Sequence, residues 1–252
     1  MKKIFCLLSI SLLLLQACSS SDSSASISTN LILLKKTIYT NPDGIFTTNF
    51  TYNGNKILKA ITNNFGYSNF IYSGDLISSV ENYDINNNLI SKSLYNYNSN
   101  NEIANFIELY YSSNIGHRIV YQYNSDGTVI SNQYTGNLNT QNTLSYTCKI
   151  YFLNGEVSSE VFSFGSSKTI NFTYDNKNHP NKNVLGFDKL SFAIYGPFDA
   201  EKHHNIIQSV QFDNGNQTFL TQYQIQYNSD DYPISKTKTT NNLSDESVQH
   251  FY

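Results

Sequence analysis

The sequence predicts an all-β protein, built as a large, twisted and curved antiparallel meander of about a dozen strands. Three observations carry this prediction. Short segments alternate apolar and polar residues, turn sequences rich in Asn, Asp and Gly separate them, and no stretch of ten or more residues shows convincing helical periodicity. Because the connections are short, successive hairpins should pair in sequence order, and strong twist favours closure of the sheet towards a barrel.

The first residues have the features of a lipoprotein signal. Lys2 and Lys3 precede an apolar run from Ile4 to Leu15, which is too short for a membrane span, and "LQAC" follows at residues 15–18. This arrangement resembles the lipobox of bacterial lipoproteins, which implies a signal peptide at residues 1–17, cleavage after Ala17 and acylation of Cys18. More than one acyl chain gives stable membrane anchoring. An ordinary secretory signal with a chance cysteine is the alternative.

Residues 18–29 are predicted to form a lipidated cysteine followed by a serine-rich flexible tether, and residues 30–252 a single all-β domain. Asp22 lies close behind the cysteine, where surface-exported lipoproteins of Bacteroidota often carry acidic residues. We therefore expect a lipid-anchored protein of the bacterial cell envelope, at the outer membrane. The sequence does not decide between the periplasmic face and the surface face of this membrane.

Composition excludes several classes of protein. The formal charge is −3, and loss of the two signal lysines makes it more negative by two, which argues against a nucleic-acid partner. Twenty Tyr and sixteen Phe supply too much apolar area for a disordered chain. Of three cysteines, Cys6 leaves with the signal and Cys18 carries lipid, so Cys148 has no disulfide partner. Cys148 lies in the strand-like run "LSYTCKIYF" and is expected to be a small buried apolar residue.

A repeated unit organises the chain. An aromatic pair around one residue precedes a turn of Asn, Ser, Asp or Gly, and an aliphatic residue with a polar arm follows, as in "YQYNSDGTVISNQY" at residues 121–134. The second aromatic of the unit falls at Tyr52, Tyr72, Tyr97 and Tyr123, at steps that vary between 20 and 26 residues. The irregular step indicates hairpins of varying length, and the unit is interpreted as a building unit instead of a site.

The turn sequences predict specific hairpin connections. "NPDG" at residues 41–44 and "NSDG" at residues 124–127 suit a type I turn with a G1 bulge. Type I′ turns are expected at Asn53-Gly54, Asn154-Gly155 and Asn214-Gly215. Most of these turns offer one acidic residue or none, which disfavours calcium, since calcium needs six to eight converging oxygens.

Residues 174–205 break the hairpin rhythm. This insertion holds two of the four prolines and three of the five histidines. A long insertion of this kind is a functional loop or a structural cap. We expect it to cover an open edge of the sheet, with Phe187–Tyr195 as a short helix or strand.

The "YxYNSDGxI" unit resembles the YD or Rhs-type repeat, although Thr128 stands where an arginine often follows the turn glycine. Together with the lipobox and "YDNKNHPNKN" at residues 174–183, the whole chain is similar to lipoproteins of Bacteroidota. The resemblance implies an antiparallel β fold and an envelope location. It carries no catalytic residue.

One cluster in the insertion is a tentative loop site: Asp199, Glu201, His203 and His204. Adjacent histidines on a strand point to opposite faces, whereas on a loop they could share a ligand; a solvated loop is the alternative. No catalytic motif, metal site or cofactor is expected. The prediction is a non-enzymatic scaffold or binding module, bound to the membrane by its anchor and contacting a glycan or protein. The alternative is a hydrolase or glycan-binding protein acting on envelope or extracellular substrates.

Overall fold

The computed structural model describes residues 31–164, 166–190, 202–241 and 243–252. These residues form sixteen β-strands and one short 3-10 helix, Phe187–Lys189. The strands are β1 (Lys36–Asn41), β2 (Gly44–Asn53), β3 (Lys56–Thr62), β4 (Gly66–Ser73), β5 (Leu76–Tyr83), β6 (Leu89–Tyr97), β7 (Ile103–Tyr110), β8 (Ile115–Tyr123), β9 (Val129–Gly136), β10 (Gln141–Leu153), β11 (Glu156–Phe164), β12 (Ser166–Tyr174), β13 (Ile206–Asp213), β14 (Asn216–Tyr227), β15 (Pro233–Thr240) and β16 (Leu243–Phe251).

The strands form one closed antiparallel barrel. Each strand pairs with the next in sequence, and β1 pairs with β16 from Lys36 opposite Phe251 to Thr40 opposite Ser247. The predicted all-β antiparallel meander is therefore confirmed, with full closure and with sixteen strands instead of about a dozen. The number was underestimated because the later hairpins, such as β13–β14, carry only degenerate copies of the repeated unit.

β-Bulges recur at one position of the repeated unit. The register of a hairpin shifts beside Tyr52, Tyr72, Tyr97 and Tyr227, each near the end of its strand. A bulge inserts one residue, bends the strand and increases its local twist. The repeated unit thus supplies the curvature that lets a meander close on itself.

Tyrosines of the repeated unit also tie neighbouring hairpins together. The hydroxyl of Tyr97 donates to the carbonyl of Ile77 at 2.7 Å, and that of Tyr123 to the carbonyl of Ile103 at 3.0 Å. Each acceptor lies at the start of the second strand of the preceding hairpin. Tyr252 makes the equivalent bond to Pro233 at 2.9 Å, so the pattern continues to the last strand. The repeated tyrosine is a structural residue of the barrel.

Three of the five predicted turns have the turn type that the sequence indicates. Asn154-Gly155 and Asn214-Gly215 have positive φ at both residues, as type I′ requires. In the Asn124–Gly127 turn the Gly127 amide donates to the Asn124 carbonyl at 3.1 Å, and Gly127 adopts φ +81°, as a G1 bulge requires.

The other two turns differ from the prediction. At residues 41–44, Asn41 pairs directly with Gly44, so a two-residue Pro42-Asp43 connection replaces the bulge. At the first Asn-Gly pair, Asn53 is the last strand residue and the connection is Gly54-Asn55. Positive φ occurs there at Gly54 and not at Asn55, which is the pattern of a type II′ turn.

The barrel is filled by side chains on its inner face. Fully buried residues from many strands, including Ile77, Phe106, Ile119 and Ile150, form one core cluster. The outer face of the barrel is mixed: Lys92 pairs with Glu81 at 2.8 Å across β6 and β5, while Ile71 and Ile90 are exposed. The buried core side chains thus lie on the inner face of the wall.

The insertion enters one end of the barrel. We call its described residues, 175–190 and 202–205, the plug. Val184, Phe187 and Leu190 belong to the same buried cluster as the inner wall, and the Leu185 amide donates to the Asn55 carbonyl at 3.0 Å. The expectation that the insertion covers an open sheet edge is wrong, because closure of the barrel pairs the edge strands with each other. The plug covers the barrel end.

Gly186 allows the plug to pass close to the wall. Its φ is +74°, and a Cβ at this position would lie 2.7 Å from the backbone oxygen of Asp75. Phe187–Lys189 forms a single 3-10 turn beyond it, where the sequence predicted a short helix or strand over Phe187–Tyr195. The last five residues of that predicted element lie outside the described part of the chain.

Candidate functional site

Two carboxylates hold the plug at its ends. Asp175 accepts hydrogen bonds from the side chain of Asn205, at 3.1 Å, and from the hydroxyl of Tyr227. Glu156, which is 4% exposed, accepts backbone N–H groups of Lys202, His203 and His204 at 2.9–3.2 Å. Charge-assisted bonds of this kind are stronger than neutral ones, so both strand connections of the plug are fixed to the barrel.

A chamber lies inside the barrel beneath the plug, with a volume of about 380 Å³. Its wall combines the inner faces of β1–β4 with those of β15 and β16, and the plug contributes His179, Pro180, Asn181 and Asn205. This volume falls within the range of small-molecule sites. The wall is mixed, with the rings of Phe50 and Phe70 beside threonine and serine hydroxyls.

The plug presents an ordered surface to this chamber. His179 is 6% exposed and stacks on Phe187 with ring centroids 5.3 Å apart. Its Nδ1 accepts the backbone N–H of Asn181 at 3.2 Å. These contacts fix the side of the chamber that the plug forms.

A second cavity of about 250 Å³ adjoins the first, and both are lined by Lys236 and Val248. Its other lining residues include Lys238 and Glu246, whose side chains form an ion pair at 3.2 Å. The ammonium of Lys236 lies 4.4 Å from the centroid of the Tyr223 ring. The two cavities therefore meet at a charged side chain on the inner face of β15.

Tyr39 also lines the second cavity. Its pKa is raised, first by burial and then by its hydrogen bond to Glu246. The phenol is consequently neutral near pH 7 and can both donate and accept hydrogen bonds. The cavity thus offers two ammonium groups, a carboxylate and a phenol to an occupant.

Two further carboxyl groups are buried on the inner face away from these cavities. Burial raises the pKa of Glu108, and it raises the pKa of Glu160 from 4.5 to about 7, although Lys168 acts in the opposite direction. Glu108 lies across from His117, and Glu160 across from Ile150. Raised carboxyl pKa values occur at catalytic sites and also in packed interiors.

The tentative loop site is only partly described. Asp199 and Glu201 lie outside the described residues. The Nδ1 atom of His204 lies 3.1 Å from Glu156, and burial lowers the pKa of His203. Among the residues that the structure describes, no group of three or more His, Cys, Asp or Glu side chains could hold a metal ion. Both described histidines adjoin the bonds that anchor the plug.

Cys148 is buried and free, with no exposed surface. Burial raises the pKa of its thiol to about 12, so the reactive thiolate is disfavoured. The predicted role as a small buried apolar residue is confirmed.

Sequence reasoning missed the chamber residues. The alternating "SKTKTT" of β15 places Lys236 and Lys238 on one face, which is a signal of a charged strand face. It does not indicate that this face is the inner one, because charged faces of strands usually face water.

Comparisons with known proteins match the architecture alone. No family model matches the chain, and no curated protein matches it. A porin-like protein from Bacteroides vulgatus is 12% identical, with a TM-score of 0.48 over 88% of this chain and 98% of that one. A porin-like protein from Bacteroides uniformis is also 12% identical, with a TM-score of 0.49 over 86% and 96%. Within the described ranges, no helix has the length and apolar character needed to cross a bilayer.

Proposed function

We propose that the protein is a non-enzymatic binding module of the bacterial cell envelope, anchored to the membrane through lipidated Cys18, with a small-molecule site inside its barrel. The observation that carries the binding proposal is the chamber of about 380 Å³ between the plug and the inner wall. Its mixed wall, with aromatic rings beside converging polar groups, has the character of a ligand site. The lipobox "LQAC" supports the anchor.

Charged side chains on the outer wall support a barrel that stands in water. Lys59, Glu81, Lys92 and Arg118 each lie next to a buried residue of their strand and face outward, on a wall that also exposes Ile61 and Ile71. A lysine or arginine facing lipid at the bilayer midplane costs about 2–4 kcal/mol. In this proposal the acyl chains, and not the barrel wall, hold the protein at the membrane.

A hydrolase is the second candidate, favoured by the buried carboxyls Glu108 and Glu160. A carboxyl with a pKa of about 7 could serve as a general acid. The two carboxyls have different cross-strand neighbours, however: Glu108 lies across from His117, and Glu160 across from the aliphatic Ile150. Neither Glu108 nor Glu160 lines the chamber. A binding function explains the chamber, whereas a hydrolase that uses these two carboxyls does not.

The binding proposal is tested by a thermal-shift screen of the purified mature protein. The library contains sugars, sugar acids, amino acids, nucleotides and fatty acids, and hydrolase substrates are assayed in parallel. Ala60→Phe fills the chamber, because Ala60 is a buried lining residue. Ser235→Phe, on the outer face of β15, is the matched control.

We expect at least one compound that raises the melting temperature of the wild type and the control variant but not of Ala60→Phe. Circular dichroism confirms that each variant is folded. The proposal fails if the screen finds no compound whose binding depends on Ala60. It also fails if the protein shows turnover that Glu108→Gln or Glu160→Gln abolishes while the protein stays folded.

A further inference from the structure

We propose that the end of the barrel opposite the plug carries a second binding site, which takes a quaternary ammonium group. The site is a cleft of about 480 Å³, lined by Asn41, Asp43, Phe46, Thr62 and Phe65, and we call it the rim cleft. The inference goes beyond the proposed function, because the side chains that would hold this ligand do not belong to the plug and only Thr62 also lines the chamber.

The rim cleft lies on the first two hairpins of the barrel. Asn41 and Asp43 belong to the β1–β2 hairpin, and Phe65 lies in the β3–β4 connection. Turns that follow odd-numbered strands share one end of the barrel, whereas the plug follows β12 and lies at the other end. The cleft is therefore remote from the described residues of the plug.

Two phenyl rings form the apolar side of the cleft. The rings of Phe46 and Phe65 have centroids 4.9 Å apart and an interplanar angle of 77°. Tyr39 stacks on Phe46 at 6.2 Å and holds it in place, whereas Phe65 is 58% exposed. A cation in the angle between two such rings lies within the distance of about 6 Å at which a ring attracts it.

Asp43 supplies the charge of the cleft. Its side chain is exposed and takes part in none of the ion pairs between described residues. The pKa of Tyr39 is raised first by burial and then by Glu246, and the charge of Asp43 acts in the same direction, so this carboxylate lies within electrostatic reach of the ring stack. Glu246 is itself paired with Lys238 at 3.2 Å. The unbalanced charge of the described groups beside the rings is negative, which favours a cation.

Other aromatic rings of this barrel are covered by cations of the chain itself. The ammonium of Lys59 lies 3.6 Å from the centroid of Tyr67, and the guanidinium of Arg118 lies 4.8 Å from that of Tyr134. In the described part of the chain, no lysine or arginine lies over the two phenyl rings of the rim cleft in this way. Both rings are therefore available to the cation of a ligand.

The hydrogen-bonding groups of the cleft favour a cation without N–H donors. The side-chain oxygen of Asn41 already accepts the backbone N–H groups of Asp43 and Gly44, at 3.0 and 3.1 Å. The hydroxyls of Thr62 and Thr48 bond each other at 2.8 Å. A primary ammonium has three donors, and most of them would lose water here without gaining an acceptor. A quaternary ammonium has none, and its methyl groups can pack against the phenyl rings.

Calorimetric titration of the purified mature protein at constant ionic strength tests this ligand class with three probes. Choline has a quaternary ammonium, 3,3-dimethylbutan-1-ol is its uncharged isostere, and ethanolamine carries a primary ammonium instead. We expect choline to bind at least about tenfold more tightly than either of the others. Equal affinity for the isostere would refute a cation site, and equal affinity for ethanolamine would refute the quaternary class.

Two variants test the residues of the rim cleft. Phe65→Leu keeps an apolar side chain but removes a ring, and Asp43→Asn removes the charge. Each should reduce choline affinity by roughly fivefold or more and leave the affinity for the uncharged isostere unchanged. Phe65→Tyr keeps a π face and should retain most of the choline affinity. Unchanged choline affinity in both Phe65→Leu and Asp43→Asn would overturn the assignment.

The matched controls are Phe219→Leu and Asp84→Asn. Both residues lie at the same end of the barrel, Phe219 on β14 with 48% exposure and Asp84 in the β5–β6 connection. They make the same chemical changes outside the cleft and should leave choline affinity within about twofold of the wild type. An equal loss in these controls would show that the effect does not depend on the rim cleft, and the proposal would fail.

Ala60→Phe separates the rim cleft from the chamber, and it should leave choline binding intact. If choline binding is lost in Ala60→Phe but not in Phe65→Leu, choline occupies the chamber and the rim site is wrong. If choline does not bind at all, the rim site also fails, while the thermal-shift screen still decides the chamber on its own.

Discussion

The tyrosines of the repeated unit show most clearly how single residues stabilise this barrel. Burial raises the pKa of Tyr72 to about 12, and its hydroxyl joins the wall to the plug by donating to the Leu185 carbonyl at 3.2 Å. The sequence revealed the spacing of these residues. It did not reveal their hydrogen-bond partners, because each partner lies in another hairpin or in the plug.

Removal of one such hydroxyl tests its contribution. Tyr97→Phe keeps the ring but removes the donor to the Ile77 carbonyl, and it should lower the free energy of unfolding by about 1 kcal/mol. Tyr134→Phe is the control, since this ring lies on the outer face beside Arg118. Urea denaturation of both variants measures the difference. Equal effects would show that the interior bond adds nothing.

Glu160 predicts a pH dependence of stability. Burial raises the pKa of its carboxyl from 4.5 to about 7, so the folded protein keeps a proton that the unfolded chain has already lost. The stability from this group is therefore present below pH 4.5 and is lost as the pH rises towards 7. On the order of 3 kcal/mol is lost in this window.

Glu160→Gln cannot ionise and should remove that part of the pH dependence. We expect the variant to gain stability relative to the wild type between pH 5 and pH 8, as measured by urea denaturation at both values. Parallel pH profiles for the two proteins would contradict the raised pKa.

At the scale of elements, hairpins could be predicted and the plug could not. Local rules determine a turn such as Asn124–Gly127, where the residues that form it are adjacent in sequence. Residues 175–190 form short local turns, and the position of these turns in the barrel depends on distant partners such as Asn55 and Asp231. The alternation of residues along the strands therefore predicted the sheet. The role of the plug could be recognised only once the closed barrel was known.

The Gly127 turn provides a test at this scale. Gly127→Val forces a β-branched residue to φ +81° and should destabilise the protein by about 1–2 kcal/mol. Asp126→Ala should cost less, although its carboxylate accepts the Thr128 amide at 3.0 Å. Thermal or urea unfolding decides between them. Loss of a ligand or calcium affinity in Asp126→Ala, with stability unchanged, would show that the turn is a site.

The anchoring of the plug is tested by Glu156→Gln. This change keeps the shape of the side chain but removes the charge that three successive backbone N–H groups share. We expect a loss of about 1–3 kcal/mol and faster hydrogen exchange in residues 202–205. Glu102→Gln, in the short turn after β6, is the control. Unchanged exchange in residues 202–205 would show that the charge does not hold the plug.

At the scale of the whole molecule, closure and the inner chamber arise from contacts that sequence patterns do not specify. The closing pair joins β1 to β16 across nearly the full length of the domain. Period-two alternation predicts that one face of each strand is buried, but not whether that face surrounds a space. The chamber residues Thr48, Lys236 and His250 are therefore ordinary strand residues in the sequence and become neighbours only after closure.

The two faces of the barrel wall differ in composition. The inner wall carries the apolar core, while Lys92 and Glu81 pair on the outside. The proposed attachment through acyl chains on Cys18 requires that this outer face lies in water.

The most direct test of this account is detergent-free fractionation of the Cys18→Ser protein, exported behind a cleavable secretory signal, beside the wild type. The wild type should sediment with membranes and incorporate acyl label. The variant should carry no label, remain in the soluble fraction and show the same β-rich circular dichroism and cooperative unfolding. A variant that stays with membranes, or that needs detergent to remain folded, would contradict the account by showing that the barrel itself is embedded in lipid.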